Sequence, residues 1–353
     1  MTGLIAFITA IRLSALKYRS ISGLLFIAPV DGFAGNQFKF LETIMNGGMG
    51  MARFLLLAML ITLSGDAVSQ DPIRQDTPAE QNKTVIDMTE QELLKVYHKE
   101  LSHVKFDAGR EELSSLLEKA GERVTALFRD FSNTSAKEDV RMQSVLRGML
   151  PRSAKREYNY LILPQSREGK VFFTEYRTDK ENRAADQKLE LGFAISSGYA
   201  GLCIYLHPTH QPYSRFRYLG RESRKPRAHV IAFAQKTESG EYMAHYYDVD
   251  TKTSVNFLVQ GFVWLDPESY NILRMRTCMQ VPYTSLKEQI TDILYEKVEF
   301  ENTQKQFWLP SEVNIRFELT DCTFRNQHKY SDYHLFSVES DMGTYAGKFV
   351  IIR

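Results

Sequence analysis

The chain has 353 residues, of which 43% are hydrophobic and 25% charged, and its formal net charge is +1. A chain of this length can bury a substantial core. The charge, so near zero, excludes the chain-wide basic surface that nucleic-acid-binding proteins present, so no nucleic-acid partner is predicted.

Residues 51–69, MARFLLLAMLITLSGDAVS, have the three parts of a secretory signal peptide. Arg53 is the positive start, and Phe54–Leu63 forms the apolar core. Ala67 and Ser69 are the small residues before the cleavage site. A helix over that core would span about half of a roughly 30 Å hydrocarbon layer, so no permanent membrane span is predicted. A buried core helix is the alternative. We expect cleavage near Ser69/Gln70 and a periplasmic or secreted protein, whose residues 70–353 carry a formal charge of −1.

Residues 1–50 are predicted to be an untranslated leader read from a mis-chosen start. Gly47 and Gly48 can be encoded by GGAGG, the purine-rich string that a bacterial ribosome binds just before a start codon, and Met51 follows closely. A genuine extension, with apolar segments at 4–11 and 21–30, is the alternative. Codons 47 and 48 without that string would contradict the leader prediction.

Residues 70–87 contain two prolines and few apolar residues, which predicts a flexible linker. A helical segment is predicted over 88–150. Thr89 and Glu92 have the spacing of a capping box at a helix start. A second helix is indicated by an apolar stripe at helical spacing, which we expect to pack on the chain's own sheet or, alternatively, to hold a ligand or partner. The stripe contains Leu113, Leu116, Leu117, Ala120, Val124, Leu127, Phe128 and Phe131.

Residues 151–353 are predicted to form an antiparallel β-rich domain. Short runs of aromatic and β-branched residues are separated by turn residues, and apolar residues at 313, 315, 317 and 319 alternate with polar ones. Short turns favour pairing of sequential strands in antiparallel order. The predicted fold class is therefore α+β, with N-terminal amphipathic helices packed on a large antiparallel sheet.

Three stretches of this domain carry a resemblance to a known family. They are QGFVWLD at 260–266, YNILR at 270–274 and FWLPSEVNIRF at 307–317. Together with FRNQHKYSDYHLF at 324–336, they resemble uncharacterised secreted bacterial proteins related to the lipoprotein-carrier superfamily, typified by outer-membrane lipoprotein sorting proteins. The positions that carry the resemblance are Gly261, Trp264, Asp266, Arg274, Trp308 and Pro310.

The resemblance implies a strongly curved, incompletely closed sheet, similar to half a barrel, with helices over its concave side. It also implies an apolar hollow for acyl chains. It carries over no lipid-contacting residue, because the family's binding residues form no motif that can be matched to positions in this chain.

Residues 214–227, SRFRYLGRESRKPR, concentrate basic side chains against a single acid, Glu222. Guanidinium groups bind phosphates through paired hydrogen bonds. In an exported protein this pattern predicts a site for phospholipid headgroups or an anionic envelope polymer, and the alternative is a solvated loop between strands. The candidate ligand-binding residues are Arg215, Arg217, Arg221, Arg224, Lys225 and Arg227.

No catalytic residue, metal site or cofactor is predicted. His207 and His210 have a spacing that can chelate zinc, but a third ligand is missing nearby. The three cysteines, Cys203, Cys278 and Cys322, leave at least one thiol unpaired within a monomer, and none of their spacings indicates a metal site.

The function predicted from the sequence is noncovalent binding of a lipid or acyl chain in the cell envelope, with a lipid or lipoprotein as partner. One alternative is a structural or interaction module of the envelope. A third, ranked last, is an envelope hydrolase that uses scattered His, Asp and Cys residues, and it would require a convergent polar cleft.

Overall fold

The computed structural model describes residues 24–25, 74–75, 83–107, 110–167, 170–180, 193–196, 198–239, 244–248, 252–300, 306–339 and 348–351. The predicted signal peptide and most of the predicted leader lie outside these residues. The three α-helices of the described chain are α1 (Glu90–Val96), α2 (His98–Leu101) and α3 (Arg110–Asp130). No helix among the described residues is long and apolar enough to cross a membrane.

Seventeen strands are described, and short 3-10 helices lie at Leu202–Leu206, Gln211–Tyr213 and Thr237–Ser239. The strands are β1 (Leu24–Leu25), β2 (Arg74–Gln75), β3 (Val104–Phe106), β4 (Thr134–Leu146), β5 (Arg152–Arg167), β6 (Lys170–Thr178), β7 (Ala194–Ile195), β8 (Ser214–Glu222), β9 (His229–Gln235), β10 (Ala244–Asp248), β11 (Thr253–Phe257), β12 (Val259–Leu265), β13 (Ile272–Met279), β14 (Leu286–Glu299), β15 (Gln306–Leu319), β16 (Cys322–Glu339) and β17 (Lys348–Ile351).

Most of these strands form one large sheet in the order β3-β8-β9-β12-β13-β14-β15-β16-β4-β5-β6, with β17 also paired to β16. All of its neighbouring strands are antiparallel. A smaller sheet has the order β2-β11-β10-β1-β7. The prediction of a large antiparallel sheet is therefore confirmed.

Helix α3 covers one face of the large sheet, called the inner face here. The apolar stripe of α3, including Val124 and Phe128, is buried in the same core cluster as Val263, Ile293 and Phe317 of the sheet. Because successive side chains of a strand point to opposite faces, the inner face takes alternate residues of each strand. It carries the larger core of the molecule.

Helices α1 and α2 pack on the opposite, outer face. Leu93 of α1 and Leu101 of α2 are buried against Phe262 and Trp264 of β12. The capping box is present at the start of α1, where Thr89 accepts a hydrogen bond from the Glu92 amide. The resemblance implied helices on one side only. Strand β12 instead has large apolar residues at consecutive positions, so both of its faces need a cover.

The boundary of the predicted helical segment, 88–150, differs from the structure because Thr134–Leu146 forms strand β4. Its side chains are buried at every second position, including Ala136, Glu138, Val140 and Met142. This period of two is typical of a strand with one buried face. The acidic residue among the buried positions weakens that pattern in the sequence.

The predicted linker, 70–87, also ends earlier than expected. Val85 is fully buried, and its amide donates a hydrogen bond of 2.8 Å to the side-chain oxygen of Gln260. Asp87 forms an ion pair of 2.9 Å with Arg215. These contacts hold the segment before α1 against the outer face, and none of them is local in sequence.

Candidate ligand-binding cleft

A partly open cleft of about 260 Å³ lies between α3 and the inner face of the large sheet. Apolar side chains line the cleft together with the polar side chains of Arg123, Asp130, Asn271 and Gln306, of which Arg123 and Gln306 are exposed. The walls include Val124, Leu127, Ile272, Tyr295, Phe307 and Trp308. The cleft thus combines apolar side chains with polar ones, which is the usual composition of a small-ligand site.

One side of α3 is attached to the turn that joins β12 to β13. The Asp266 carboxylate accepts hydrogen bonds from the amide and hydroxyl of Ser269, at 2.7 and 2.8 Å. The guanidinium of Arg123 donates to the Ser269 carbonyl at 2.9 Å, and the Lys119 ammonium donates to the Tyr270 hydroxyl at 3.1 Å. Asp266 therefore orders the turn that positions one wall of the cleft.

The other side of α3 is attached to the 3-10 helices. The side-chain amide of Gln211 donates to the carbonyls of Leu117 and Leu206, at 2.9 and 2.8 Å. Helix α3 approaches this region closely at Gly121, where a Cβ atom would lie 3.0 Å from the Gln211 side chain and 3.2 Å from the Leu206 carbonyl. The two attachments set the width of the cleft.

Tyr295 lines the cleft, and its hydroxyl is a buried polar group without a partner among the described residues. Burial, together with the nearby Cys203 and Glu175, raises its pKa well above the usual value, so the hydroxyl stays protonated and can donate. A buried polar group without a partner costs about 1–3 kcal/mol.

Aromatic side chains fill much of the remaining space beneath α3. Phe128 stacks on Phe173 with ring centroids 4.4 Å apart, and Phe131 meets Phe307 edge-on at 5.4 Å. The volume that remains lies just below the roughly 300–1,000 Å³ of typical ligand pockets. The cleft therefore has room for one narrow ligand.

A buried ionic cluster lies elsewhere on the inner face, centred on Glu138. The Arg177 guanidinium donates two hydrogen bonds to the Glu138 carboxylate, at 2.5 and 2.7 Å. His328 Nδ1 lies 2.8 Å from the same carboxylate, and the Tyr330 hydroxyl donates to it at 3.0 Å. Burial by itself would raise the pKa of Glu138, but Arg177 and His328 together lower it to about 2.

Ser196, His328 and Glu138 have the order of a nucleophile, a base and an acid, since the Ser196 hydroxyl lies 3.2 Å from His328 Nε2. Burial lowers the pKa of His328, which favours the neutral imidazole. The adjoining cavity of about 40 Å³, however, has room for little more than a water molecule.

The nearby amides of Gly198 and Ala200 are not available to a substrate oxyanion. Both donate to the buried carboxylate of Glu175, each at 2.7 Å. A serine hydrolase needs such donors and access for a substrate. This arrangement therefore supports a structural role for the cluster.

The six predicted anion-binding residues divide into two groups. Arg215 pairs with Asp87, and Arg217 donates to the Met88 carbonyl at 2.5 Å, so both hold the segment before α1. The rest lie on the exposed end of the β8–β9 hairpin and are Arg221, Arg224, Lys225 and Arg227. The structure thus does not bring all six to one site.

Most of the positions that carry the family resemblance have structural contacts. The Trp264 indole donates to Glu222 at 3.1 Å, and the Arg274 guanidinium lies 4.5 Å from the Trp264 ring. Arg274 also makes two hydrogen bonds to Asp292, at 2.8 and 2.5 Å. The Pro310 carbonyl accepts from the Tyr333 hydroxyl at 2.6 Å. Trp308 is the member of the set that lines the cleft.

The three cysteines are free, and burial raises the pKa of Cys203 to about 12 and that of Cys278 to about 11, so neither is a ready nucleophile. His207 and His210 are both within hydrogen-bond distance of the Thr209 hydroxyl, at 2.7 and 3.0 Å. No group of three or more potential metal ligands occurs in the described part of the chain.

The site residues differed in their sequence signals. Phe307 begins the stretch 307–317 of the family resemblance and Leu127 belongs to the predicted apolar stripe, whereas Tyr295 was one aromatic residue among many in the β-rich domain. Glu138 would have been recognisable as an acid at an inward position once β4 was identified as a strand. Both sites depend on which face of a strand each residue occupies.

No family model and no curated protein matches the chain. Its fold is similar to that of a DUF1329 family protein from Desulfovibrio piger, with 11% identity over 66% of this chain and 94% of that chain and a TM-score of 0.33. It is also similar to a LolA superfamily protein from Nitrosomonas europaea, with 12% identity over 64% of this chain and 94% of that chain and a TM-score of 0.26.

Proposed function

We propose that the protein binds the acyl chain of a lipid or lipoprotein noncovalently, in the cleft between α3 and the inner face. The observation that supports this most directly is the composition of the cleft. Its lining contains Val124, Leu127 and Phe307 as apolar side chains and Arg123 and Gln306 as exposed polar ones. Such a site matches an amphiphile with one narrow apolar chain.

In this proposal the acyl chain lies against Val124, Leu127 and Phe307, with its head at the margin of the cleft. Apolar burial contributes about 25 cal/mol per Å² of surface removed from water. The large sheet curves as half a barrel around the ligand, and α3 closes the concave side. Arg123 lies at the margin, where it meets an anionic or polar headgroup.

We also propose that the protein is exported. The signal-peptide pattern of residues 51–69 supports this. Residues 1–50 are then untranslated leader, and the linker that begins at Gln70 ends before the buried Thr84. N-terminal sequencing of protein recovered from the expressing cells should begin near Gln70. A recovered chain that retains residues 1–50 would contradict export by this signal.

The exposed end of the β8–β9 hairpin is proposed as a contact for an anionic envelope component. Arg221, Arg224, Lys225 and Arg227 support this because they are exposed on one short segment. Phospholipid headgroups match them in charge.

Replacing Leu127 with Trp is expected to fill the cleft and weaken acyl binding by at least about tenfold, since roughly 1.4 kcal/mol of lost apolar contact corresponds to a factor of ten. Binding of a dansyl-labelled fatty acid to the chain from Gln70 onward measures this by fluorescence titration. Leu294→Trp is the matched control, because Leu294 lies on the outer face and is 43% exposed. Its affinity is expected to stay within about twofold.

Two results would contradict the proposal. One is a wild-type protein that shows no saturable binding and is free of lipid in native mass spectrometry after export. The other is equal affinity in Leu127→Trp and Leu294→Trp when both variants have wild-type circular dichroism. Either result would favour the alternative of an envelope interaction module, which the aromatic filling beneath α3 supports.

A further inference from the structure

A second depression, of about 670 Å³, lies on the outer face of the large sheet and is called the cationic groove here. Side chains of β13, β14, β15, β16, β4 and β5 line it, together with α2. The acids in its lining are Glu100 and Asp292. Its cations are Lys99, Arg141, Lys155, Arg276, Arg316 and Arg325. The groove is separate from the acyl cleft, which opens from the other face.

The strand register explains how residues far apart in sequence form this groove. One row of directly opposed residues runs across six strands: Arg276, Asp292, Asn314, Gln327, Arg141 and Lys155. The adjacent row on the same face contains Ile290, Arg316, Arg325, Gln143 and Ser153. Two neighbouring rows therefore present cations on four consecutive strands.

Within these rows, like charges stand directly opposite each other on paired strands. Arg316 opposes Arg325 across β15 and β16, and Arg141 opposes Lys155 across β4 and β5. Opposed like charges destabilise an antiparallel pair. A bound anion would relieve the repulsion between Arg141 and Lys155, and it would give Arg325 a partner opposite Arg316.

The acids of the groove do not neutralise these pairs. Glu100 binds Arg276 at 3.1 Å, and Asp292 makes two hydrogen bonds with Arg274 at 2.8 and 2.5 Å. Arg316 has carboxylate partners of its own, Glu288 at 3.3 Å and Glu318 at 2.5 Å.

The remaining cations have no carboxylate partner in the described parts of the chain. Arg325 contacts only the Gln143 side chain, at 3.4 Å, and the others are Lys99, Arg141 and Lys155. The next row of outer-face residues, Asp139 and Glu157, bounds the groove on one side, and Glu157 is itself bound by Lys180 at 2.6 Å. The groove thus carries an uncompensated positive charge.

We propose that the cationic groove binds a soluble, extended oligoanion with phosphate groups along its length. The two opposed pairs are separated by two strand spacings and by one row along the strands, roughly 12 Å in all, so one chain with negative groups at that separation can meet both. Guanidinium and ammonium groups in pairs match the charge and geometry of phosphate. The groove lies beneath α2, which admits a single chain more readily than a flat membrane surface.

The test is calorimetric titration of a short linear polyphosphate into the chain from Gln70 onward. The double variant R141Q/R325Q is expected to bind at least about tenfold more weakly, because it removes one charged contact from each pair. The matched control K95Q/R147Q removes two exposed cations outside the groove and is expected to bind within about twofold of wild type. A third variant, R224Q/K225Q, removes two cations from the β8–β9 hairpin.

Thermal unfolding provides a second readout. Without polyphosphate, R141Q/R325Q should unfold at or above the wild-type temperature, because opposed like charges are relieved. With polyphosphate, the unfolding temperature of wild type should rise and that of the variant should not. If the double variant fails to fold, Lys155→Gln alone should bind polyphosphate more weakly than wild type, by a smaller factor, and polyphosphate should raise its unfolding temperature less.

Four results would overturn the proposal. The first is that wild type does not bind polyphosphate. The second and third are that the groove and control variants lose affinity for polyphosphate equally, or that only the hairpin variant loses it. The fourth is that the protein binds anionic phosphatidylglycerol vesicles but not polyphosphate. The last result would assign the groove to a membrane surface. None of them bears on the acyl cleft, whose test uses a different probe and different variants.

Discussion

Replacing Glu138 with Gln is expected to lower the free energy of unfolding by about 3–5 kcal/mol, because it leaves the Arg177 guanidinium buried without a counter-charge. The side chains of Glu138 and Arg177 are 0% and 8% exposed, so water cannot take over the lost interaction. Chemical denaturation at neutral pH, with circular dichroism as the probe, measures the change.

The matched control is Glu157→Gln. Its partner Lys180 lies on the surface, so this variant should lose much less stability than Glu138→Gln. The double variant Glu138→Gln/Arg177→Met removes both buried charges and is expected to recover part of the stability. If Glu138→Gln costs no more than Glu157→Gln, the buried pair does not stabilise the fold.

The pH dependence follows from the same cluster. The pKa of Glu138 is about 2 in the folded protein and near 4.5 when unfolded, so its stabilising effect is present above about pH 4.5 and is lost as the pH falls toward 2. The difference between wild type and Glu138→Gln should therefore narrow over that interval. A difference that stays constant down to pH 2 would contradict the lowered pKa.

Two neighbours of Glu138 modify the pH dependence in opposite directions. Burial lowers the pKa of His328 in the folded protein. The folding stability that its neutral imidazole contributes is therefore lost as the pH falls below the usual pKa of 6.5. Burial raises the pKa of Glu175 in the folded protein. The folding stability that its protonated carboxyl contributes is therefore present below pH 4.5 and is lost as the pH rises through the folded pKa.

Replacing Gly261 with Ala is expected to lower the free energy of unfolding by about 3 kcal/mol or more, because the added methyl group would overlap the neighbouring strand. A Cβ atom at this position would lie 1.9 Å from the Arg276 carbonyl oxygen and 3.0 Å from the Thr277 Cα. Both are backbone atoms, so β12 and β13 would have to separate. Denaturation at neutral pH measures the loss.

Gly201→Ala is the control for this prediction. No atom lies within 4 Å of a Cβ built there, and its φ of −86° is accessible to any residue. Its stability is expected to stay within about 1 kcal/mol of wild type. Equal stability of the two variants would show that β12 and β13 can separate at little cost. The glycine of the family resemblance would then need an explanation other than close strand approach.

The sequence predicted the elements whose signals are local. The capping box at Thr89 depends on two residues three apart, and the stripe through Val124 and Leu127 depends on one helix. The alternation along 313–319 was enough to predict a strand with one buried face. The same reasoning placed β4 in a helical segment, because Glu138 interrupts the apolar pattern of its buried face.

The candidate sites required the tertiary structure because they join residues that are distant in the chain. The cleft depends on Tyr295 facing Leu127, and the cationic groove depends on Arg141 lying two strands from Arg316. A shift of one residue in strand register would turn these side chains to the opposite face. The basic cluster at 214–227 shows that residues close in sequence can also be separated by the fold. Arg215 pairs with Asp87, whereas Arg224 is exposed to solvent.

The sequence by itself determined the strand-rich fold class, and it predicted an export signal and a resemblance to the lipoprotein-carrier superfamily, because composition, periodicity and short motifs are local properties. Only the tertiary structure decided which face each side chain occupies, that Glu138 and Arg177 meet in the core, and that a narrow cleft remains beneath α3. These features depend on strand register and on packing volume, which arise from the whole sheet.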